Sequence, residues 1–302
     1  MILTVTFNPA VDQTMTFDEP LAPATVNRAA DARFDAGGKG INVSQFLTAL
    51  DTETAATGLL GGFTGQFITE QLQSAGIETA FVETDEPTRL NTTALADGTE
   101  YKLNQSGPVV EPAVVDDLLT HIEATAPEHV LVGGSLPPGL DADAIDRIAA
   151  AGPWQTTVDV GGDLLQSLDE SYALCKPNRE ELAAATGDTV ESIDDCVAAA
   201  ERLRRRGFER VVASLGADGA ILVGPSGAIH AEPLPVDVVD TVGAGDAVLS
   251  GLLAALERGD DDENALATGV AVASRVVEQT GTRVPDLDGV FEQRAAVETR
   301  RL

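Results

Sequence analysis

Cysteine is nearly missing from this chain. Only Cys175 and Cys196 occur in 302 residues, too few for a disulfide framework, and no Cys-x-x-Cys pair or histidine cluster is present to build a structural zinc site. That usage fits a reducing, cytoplasmic setting. Basic residues are scarce as well: 19 Lys and Arg stand against 49 Asp and Glu, a formal net charge of −30. So acidic a surface argues against a nucleic-acid partner. Long apolar runs are absent too. None reaches the roughly 18 residues of a membrane span, so no membrane partner is expected. The opening MILTVTFNPAVD has neither the basic region nor the apolar core of a signal peptide and reads as a first strand.

Lysine is the scarcest charge. Lys39, Lys102 and Lys176 are the only three, and the other cations are arginines. The acids run along the whole chain rather than in one tail, a composition that resembles that of proteins from halophilic archaea. Salt screens the repulsion between such charges, so the fold is expected to lose stability at low ionic strength. Thermal melts at low salt and in molar KCl check this. An unchanged melting temperature would contradict it.

Glycine, by contrast, is placed in runs that punctuate strands and helices. The stretch Val236 to Gly251 reads VDVVDTVGAGDAVLSG: a strand or turn, a glycine-rich loop, then a buried helix. The first amides of a helix lack intrahelical partners and its macrodipole favours negative charge there, so the loop is shaped to receive an anion such as a phosphoryl group. Asp246 would repel that anion. Its natural task is to take a proton from a nucleophile that attacks the phosphate. The bland alternative is a turn with an acid in the first helical turn. Ala36-Gly37-Gly38-Lys39-Gly40 is a second glycine-rich helix entrance, and no Gly-Lys-Ser or Gly-Lys-Thr of a Walker A loop occurs anywhere.

The rest reads as alternating strands and helices, an α/β pattern, with one interruption. Residues 13–35 read as short strands outside the core. Thr88 to Ala96 and Thr99 to Gln105 flank Asp97-Gly98, a strong hairpin turn. With those two as turn residues Ala96 pairs with Thr99, and Thr93 therefore pairs with Lys102. These two segments are expected to form a small separate sheet, a lid over the crevice. Asn178 and Glu181 have the spacing of a helix N-cap and its third residue, so a plain capping pair is an open reading. His121, His129 and His230 read as surface or edge residues. Helices are expected at 263–279 and about 288–300.

Taken in order, the motifs resemble the PfkB (ribokinase-like) carbohydrate kinases, and within them the 1-phosphofructokinase and tagatose-6-phosphate kinase branch. Thr6-Phe7-Asn8-Pro9-Ala10-Val11-Asp12 is similar to that branch's opening strand. Ala36 to Ser44 is similar to the family's first signature and Asp240 to Asp246 to its second. Gly62 to Ile68, Gly134 to Gly139, Lys176-Pro177-Asn178 and Ser214 to Gly219 fall between in the expected order. The resemblance implies a ribokinase-like three-layer α/β/α sandwich with a mostly parallel central sheet and a small β-sheet lid. The core would take residues 1–12, 36–87 and 107–302, and the lid 13–35 and 88–106.

The resemblance also implies roles. Asp246 would be the catalytic base, and the amides of Gly243, Ala244 and Gly245 the anion hole. Asn178 and Glu181 would hold Mg²⁺ and phosphate, Glu181 through water. Lys176, Ser214, Gly216, Gly219 and Thr241 would lie along ATP. Asp12, Gly37, Gly38, Lys39, Asn42, Arg89, Asn91 and Ser135 would hold the sugar phosphate.

Two departures stand out. The branch carries Arg-x-Asn-x-Lys in the lid, and here Arg89 and Asn91 are followed by Thr93; an acid on the facing strand is replaced by Lys102, a cation moved across the hairpin that would join the substrate site. Asp159-Val160-Gly161-Gly162 also lacks the serine of Asp-x-Ser-Gly. The expected reaction is fructose 1-phosphate to fructose 1,6-bisphosphate. Fructose 6-phosphate, tagatose 6-phosphate or an unphosphorylated sugar are the alternatives, and a homodimer through the lid fits. A nicotinamide dehydrogenase would want Gly-x-Gly-x-x-Gly after the first strand, which is absent. An idle ligand-binding relative would be expected to lose Asp246.

Overall fold

A computed structural model describes every residue of the chain other than Thr280 and Thr282. Its large sheet is organised around the buried strand Ile2–Thr6, which lies parallel between Thr54–Leu60 and His129–Gly133. From His129–Gly133 the sheet continues through Gln155–Asp159, Tyr172–Cys175 and Phe208–Ser214, all parallel. Ala220–Gly224, Gly227–Ala231 and Thr299–Arg301 then add antiparallel. At the other edge the short strands Glu78–Thr79 and Val82–Glu83 pair with Thr54–Leu60.

Side chains alternate across each strand, and both faces are apolar because both are covered. Leu3, Val5, Val130 and Val132 join one core with Leu118, Ile122, Ile145 and Leu203 of the helices on that side. Ile2, Leu131, Leu174 and Val212 join the other, with Phe46 and Leu47 of helix Lys39–Ala49 and Leu249, Leu252 and Leu266 of helices Ala244–Glu257 and Asp262–Val276. The result is the ribokinase-like three-layer α/β/α sandwich.

A separate four-stranded sheet has the order Asp31–Gly37, Ala10–Phe17, Arg89–Ala96, Thr99–Asn104. The ladder extends past the expected limits of 13 and 35: Ala10 pairs with Gly37, so Asp12 and Gly37 lie on this sheet. The hairpin register is the one expected, with Ala96 opposite Thr99 and Thr93 opposite Lys102. The base of the sheet packs Val11 and Ala36 with Ile41, Leu60 and Ile68, which ties it to the core beside the crevice.

The chain end departs from expectation. In place of one helix over about 288–300 there is a turn of helix Val290–Gln293, a 3₁₀ turn Arg294–Ala296 and the strand Thr299–Arg301. The edge strand Gly227–Ala231 would otherwise present open amides and carbonyls, and pairing with it overrides the local helical preference. His129 and His230 are buried rather than superficial. His129 Nε2 lies 2.8 Å from Thr157 Oγ1, and His230 Nε2 lies 2.7 Å from the Asp218 carbonyl.

Candidate active site

Two helix N-termini meet at the carboxyl ends of the parallel strands, where open α/β sheets bind ligands. Helix Ala244–Glu257 begins after Gly243, which adopts φ 82°, a left-handed conformation that glycine takes without strain. Among the described residues no side chain caps this end. Among the described residues the amides of Gly243 and Gly245 donate to no backbone carbonyl or side chain outside the helix. They are left as free donors at the helix N-terminus.

Asp246 sits in the first turn of this helix and is buried. Its Oδ2 accepts a 2.8 Å hydrogen bond from Asn42 Nδ2 on helix Lys39–Ala49. Burial and the nearby Asp159 charge raise the Asp246 carboxyl to about 6; Asn42, Lys176 and Lys39 hold it from rising further. A base with that value is mostly ionised at neutral pH and still keeps proton affinity, the compromise general base catalysis needs.

The centre of the cluster is a residue that the sequence reading left out of the site. Asp159 is fully buried at the end of strand Gln155–Asp159. Its Oδ1 lies 2.7 Å from Lys39 Nζ and its Oδ2 lies 3.2 Å from Lys176 Nζ. Lys39 also faces Glu181 Oε1 at 3.7 Å. Burial lowers the Lys39 pKa, but Asp159 and Glu181 outweigh it and hold the ammonium firmly charged. A Cβ on Gly245 would lie 3.3 Å from Lys176 Nζ, so Lys176 borders the free helix amides. An acid that ends an apolar strand and precedes two glycines was the available signal.

Asn178 and Glu181 form the capping box. Asn178 Oδ1 accepts from the Glu181 amide and Glu181 Oε2 from the Asn178 amide, both at 2.8 Å. Glu181 Oε1 remains turned to Lys39, so capping and facing the crevice are compatible. Asn178 bridges to Ser214, and Gly216–Asp218 forms a 3₁₀ turn before Gly219. Thr241 is exposed at the approach to Gly243.

The small sheet supplies a second group. Asn91 Nδ2 donates to Asp12 Oδ1 at 3.0 Å. Burial raises the Asp12 pKa against the opposing pull of Asn91 and Arg89. A Cβ on Gly37 would meet the Asp12 carboxylate at 2.0 Å, so only glycine lets that carboxylate lie over the loop leading to Gly38 and Lys39. Asn8 donates to the Ser135 hydroxyl at 3.2 Å and to the Ser106 carbonyl at 3.0 Å.

Arg89 points elsewhere than expected. Its guanidinium donates to the carbonyls of Asn8, Pro9 and Gln105 and ties the small sheet to the core. Lys102 is mostly exposed, 3.4 Å from Glu100 Oε2.

The ionisation of Asp246 makes a pH prediction. The base works only when unprotonated, so kcat/KM is expected to fall as the pH drops through about 6. Asn42→Ala removes a bond to the charged form and should move that limb up by roughly one pH unit. Matched pH profiles of the two enzymes check this. A limb that stays in place separates Asn42 from the base.

Comparison with known proteins identifies the family. The family model described as pfkB family carbohydrate kinase matches residues 5–288. A 1-phosphofructokinase from Haloferax volcanii is 56% identical over 298 residues, covering 99% of this chain and 98% of that protein. A D-tagatose-1-phosphate kinase from Bacillus licheniformis is 35% identical over 280 residues, covering 91% of each. The crystal structure of phosphofructokinase-2 from Escherichia coli in complex with potassium superposes with a TM-score of 0.90 at 27% identity, covering 98% of both chains.

Proposed function

This chain belongs to the pfkB family of carbohydrate kinases, and from that premise we propose that it phosphorylates fructose 1-phosphate with ATP, giving fructose 1,6-bisphosphate and ADP. The observation that carries the reading is the buried Asp246 carboxylate beside free helix amides and two lysines. The relative at 56% identity bears the name of that reaction, and the tagatose kinase acts on a sugar 1-phosphate too.

The sugar lies under the small sheet, with Asp12, Asn91, Gly37, Gly38 and Ser135 against its hydroxyls. Asp246 takes the proton of the free primary hydroxyl, whose oxygen attacks the terminal phosphorus of ATP in line. The amides of Gly243 and Gly245 receive the charge on the transferring group, where fixed donors act without reorganising, whereas the Ala244 amide, expected to join them, donates to the Thr241 carbonyl at 3.3 Å and would first have to leave it. Lys39 and Lys176, held by Asp159, steady the phosphates. Ser214, Gly216, Gly219 and Thr241 lie along the nucleotide, and Asn178 orients Glu181.

Mg²⁺ fits this donor set. Among the described residues no group of three or more acidic, histidine or cysteine side chains could hold a metal. Mg²⁺ commonly keeps several waters and binds through one or two carboxylates plus substrate phosphates. Glu181 Oε1, left free by the cap, would hold it through water, and the ion would neutralise phosphate charge.

The outer face of the small sheet leaves Phe34, Tyr101 and Leu103 exposed, beside an unpaired edge at Thr99–Asn104. A homodimer through this face would cover both. Its check is the mass of the assembly in molar KCl.

The test of the reaction is a coupled kinase assay with ATP and Mg²⁺ in molar KCl. Fructose 1-phosphate, tagatose 1-phosphate, fructose 6-phosphate, tagatose 6-phosphate and free fructose are compared by kcat/KM. The highest value belongs to fructose 1-phosphate. A preference for free fructose would mark Thr93 as the loss of a phosphate grip, the second reading that this residue favours.

A further inference from the structure

One row of the small sheet crosses all four strands: Arg33, Thr14, Thr93 and Lys102 stand directly opposite one another. Opposed residues project to the same face. Two residues along, and so on that same face, lies the row of Asp35, Asp12, Asn91 and Asn104. The Asp12–Asn91 pair over the Gly37 loop identifies it as the face above the crevice. Phe34, Gln13, Thr92 and Leu103 form the row between and face outward.

The two cations at the row's ends start about 14 Å apart, three strand spacings. Both lie near enough to one corner to act on it. A Cβ on Gly281 would lie 2.3 Å from a terminal nitrogen of Arg33, and the Gly281 amide donates to Asp240 Oδ2 at 2.9 Å. The Asp240 carboxyl lies below its usual range: burial opposes this, but the amides of Val242, Gly281 and Thr241, with the charge of Lys102, outweigh it. Arg33 thus borders Gly281, whose amide holds Asp240, and the charge of Lys102 acts on that same Asp240, in the loop that leads into the glycine-rich helix.

Among the described residues neither cation has a strong partner. Arg33 Nε is 3.4 Å from Asp35 Oδ2, and Lys102 Nζ is 3.4 Å from Glu100 Oε2, each an acid on its own strand two residues away. Such partly exposed pairs hold little. Arg33 Nε is buried and has no hydrogen-bond acceptor among the described residues. Arg89, by contrast, is engaged with carbonyls, and position 93 carries no charge.

We propose that Arg33 and Lys102 together hold the phosphate that the sugar substrate already carries, with the hydroxyls of Thr14 and Thr93 lining the floor between them. A phosphate of charge about −1.5 to −2 near neutral pH draws both cations from their single carboxylates. The pair then selects a phosphorylated sugar over a free one. This assignment rests on the sugar-phosphate reading above.

The test is steady-state kinetics of the wild type, Arg33→Ala and Lys102→Ala with fructose 1-phosphate, free fructose and ATP each varied. Each variant should raise the KM for fructose 1-phosphate about tenfold to a hundredfold. The KM for ATP and the residual rate on free fructose should stay near wild type. Thr93→Lys combined with Lys102→Glu moves the cation to the facing strand in the same row. It should recover most of what Lys102→Glu alone loses, which a merely structural role would not.

An unchanged fructose 1-phosphate KM in both alanine variants would overturn the pair, as would equal losses on fructose 1-phosphate and free fructose. If the wild type itself turns over free fructose better than any sugar phosphate, the proposed function falls and the pair falls with it. If the wild type prefers the sugar phosphate and the variants match it, only the pair falls.

Discussion

Asp246→Asn is expected to lower kcat by about 100-fold to 10,000-fold, the range that a positioned general base contributes. The carboxylate stands in the first turn of helix Ala244–Glu257, beside the amides proposed to receive phosphate. As an anion it cannot bind that group, and its raised pKa suits it to take a proton. The amide of asparagine has nearly the same shape and can still accept from Asn42, so the fold and the KM for ATP should hold. Circular dichroism and ATP titration control for both. A loss of less than about tenfold would be below the range for general base catalysis and would remove Asp246 from that role.

The largest stability effect is expected at Asp159. Lys176 is only 3% exposed, and the fully buried Asp159 carboxylate is its partner at 3.2 Å. Lys39, a third exposed, shares the same carboxylate and contributes less. Removing one member of a buried pair leaves the other charge uncompensated, which costs roughly 3–5 kcal/mol. Asp159→Asn should therefore reduce the unfolding free energy by about that amount in denaturant titrations at molar KCl. A change within about 0.5 kcal/mol, the range of an ordinary surface substitution, would contradict the counter-ion role. The same variant makes a second, independent mark. Asp159 is a like charge that raises the Asp246 pKa, and its loss also frees both lysines to act on Asp246. The acid limb of kcat/KM should move below about 6, opposite in direction to Asn42→Ala.

Much of this site was legible because its parts are local. The glycines, Asp246 and the Lys176-Pro177-Asn178 run each lie within a few residues of a strand or helix end. The Asp97-Gly98 turn was enough to pair Thr93 with Lys102 by counting, because a two-residue hairpin leaves no freedom of register. The capping box at Asn178 and Glu181 is likewise a three-residue affair.

What was not legible depends on distant partners. Asp159 takes its meaning from Lys39, 120 residues away, and no local pattern announces it. Arg89 was expected to face a substrate phosphate, but the carbonyls of Asn8 and Gln105 surround its guanidinium only once the small sheet is docked. The strand Thr299–Arg301 forms because Gly227–Ala231 offers it an edge, against the helical pattern of its own neighbourhood. The alignment of Arg33 with Lys102 needs three ladders at once.

The most direct measurement is the identity of the product. The enzyme is incubated with ATP, Mg²⁺ and fructose 1-phosphate in molar KCl, and the mixture is followed by phosphorus NMR. The expected outcome is fructose 1,6-bisphosphate and ADP in equal amounts, with almost none formed by Asp246→Asn in the same time. ADP released without a bisphosphate, or bisphosphate formed at an undiminished rate by Asp246→Asn, would contradict direct transfer to the sugar at this carboxylate.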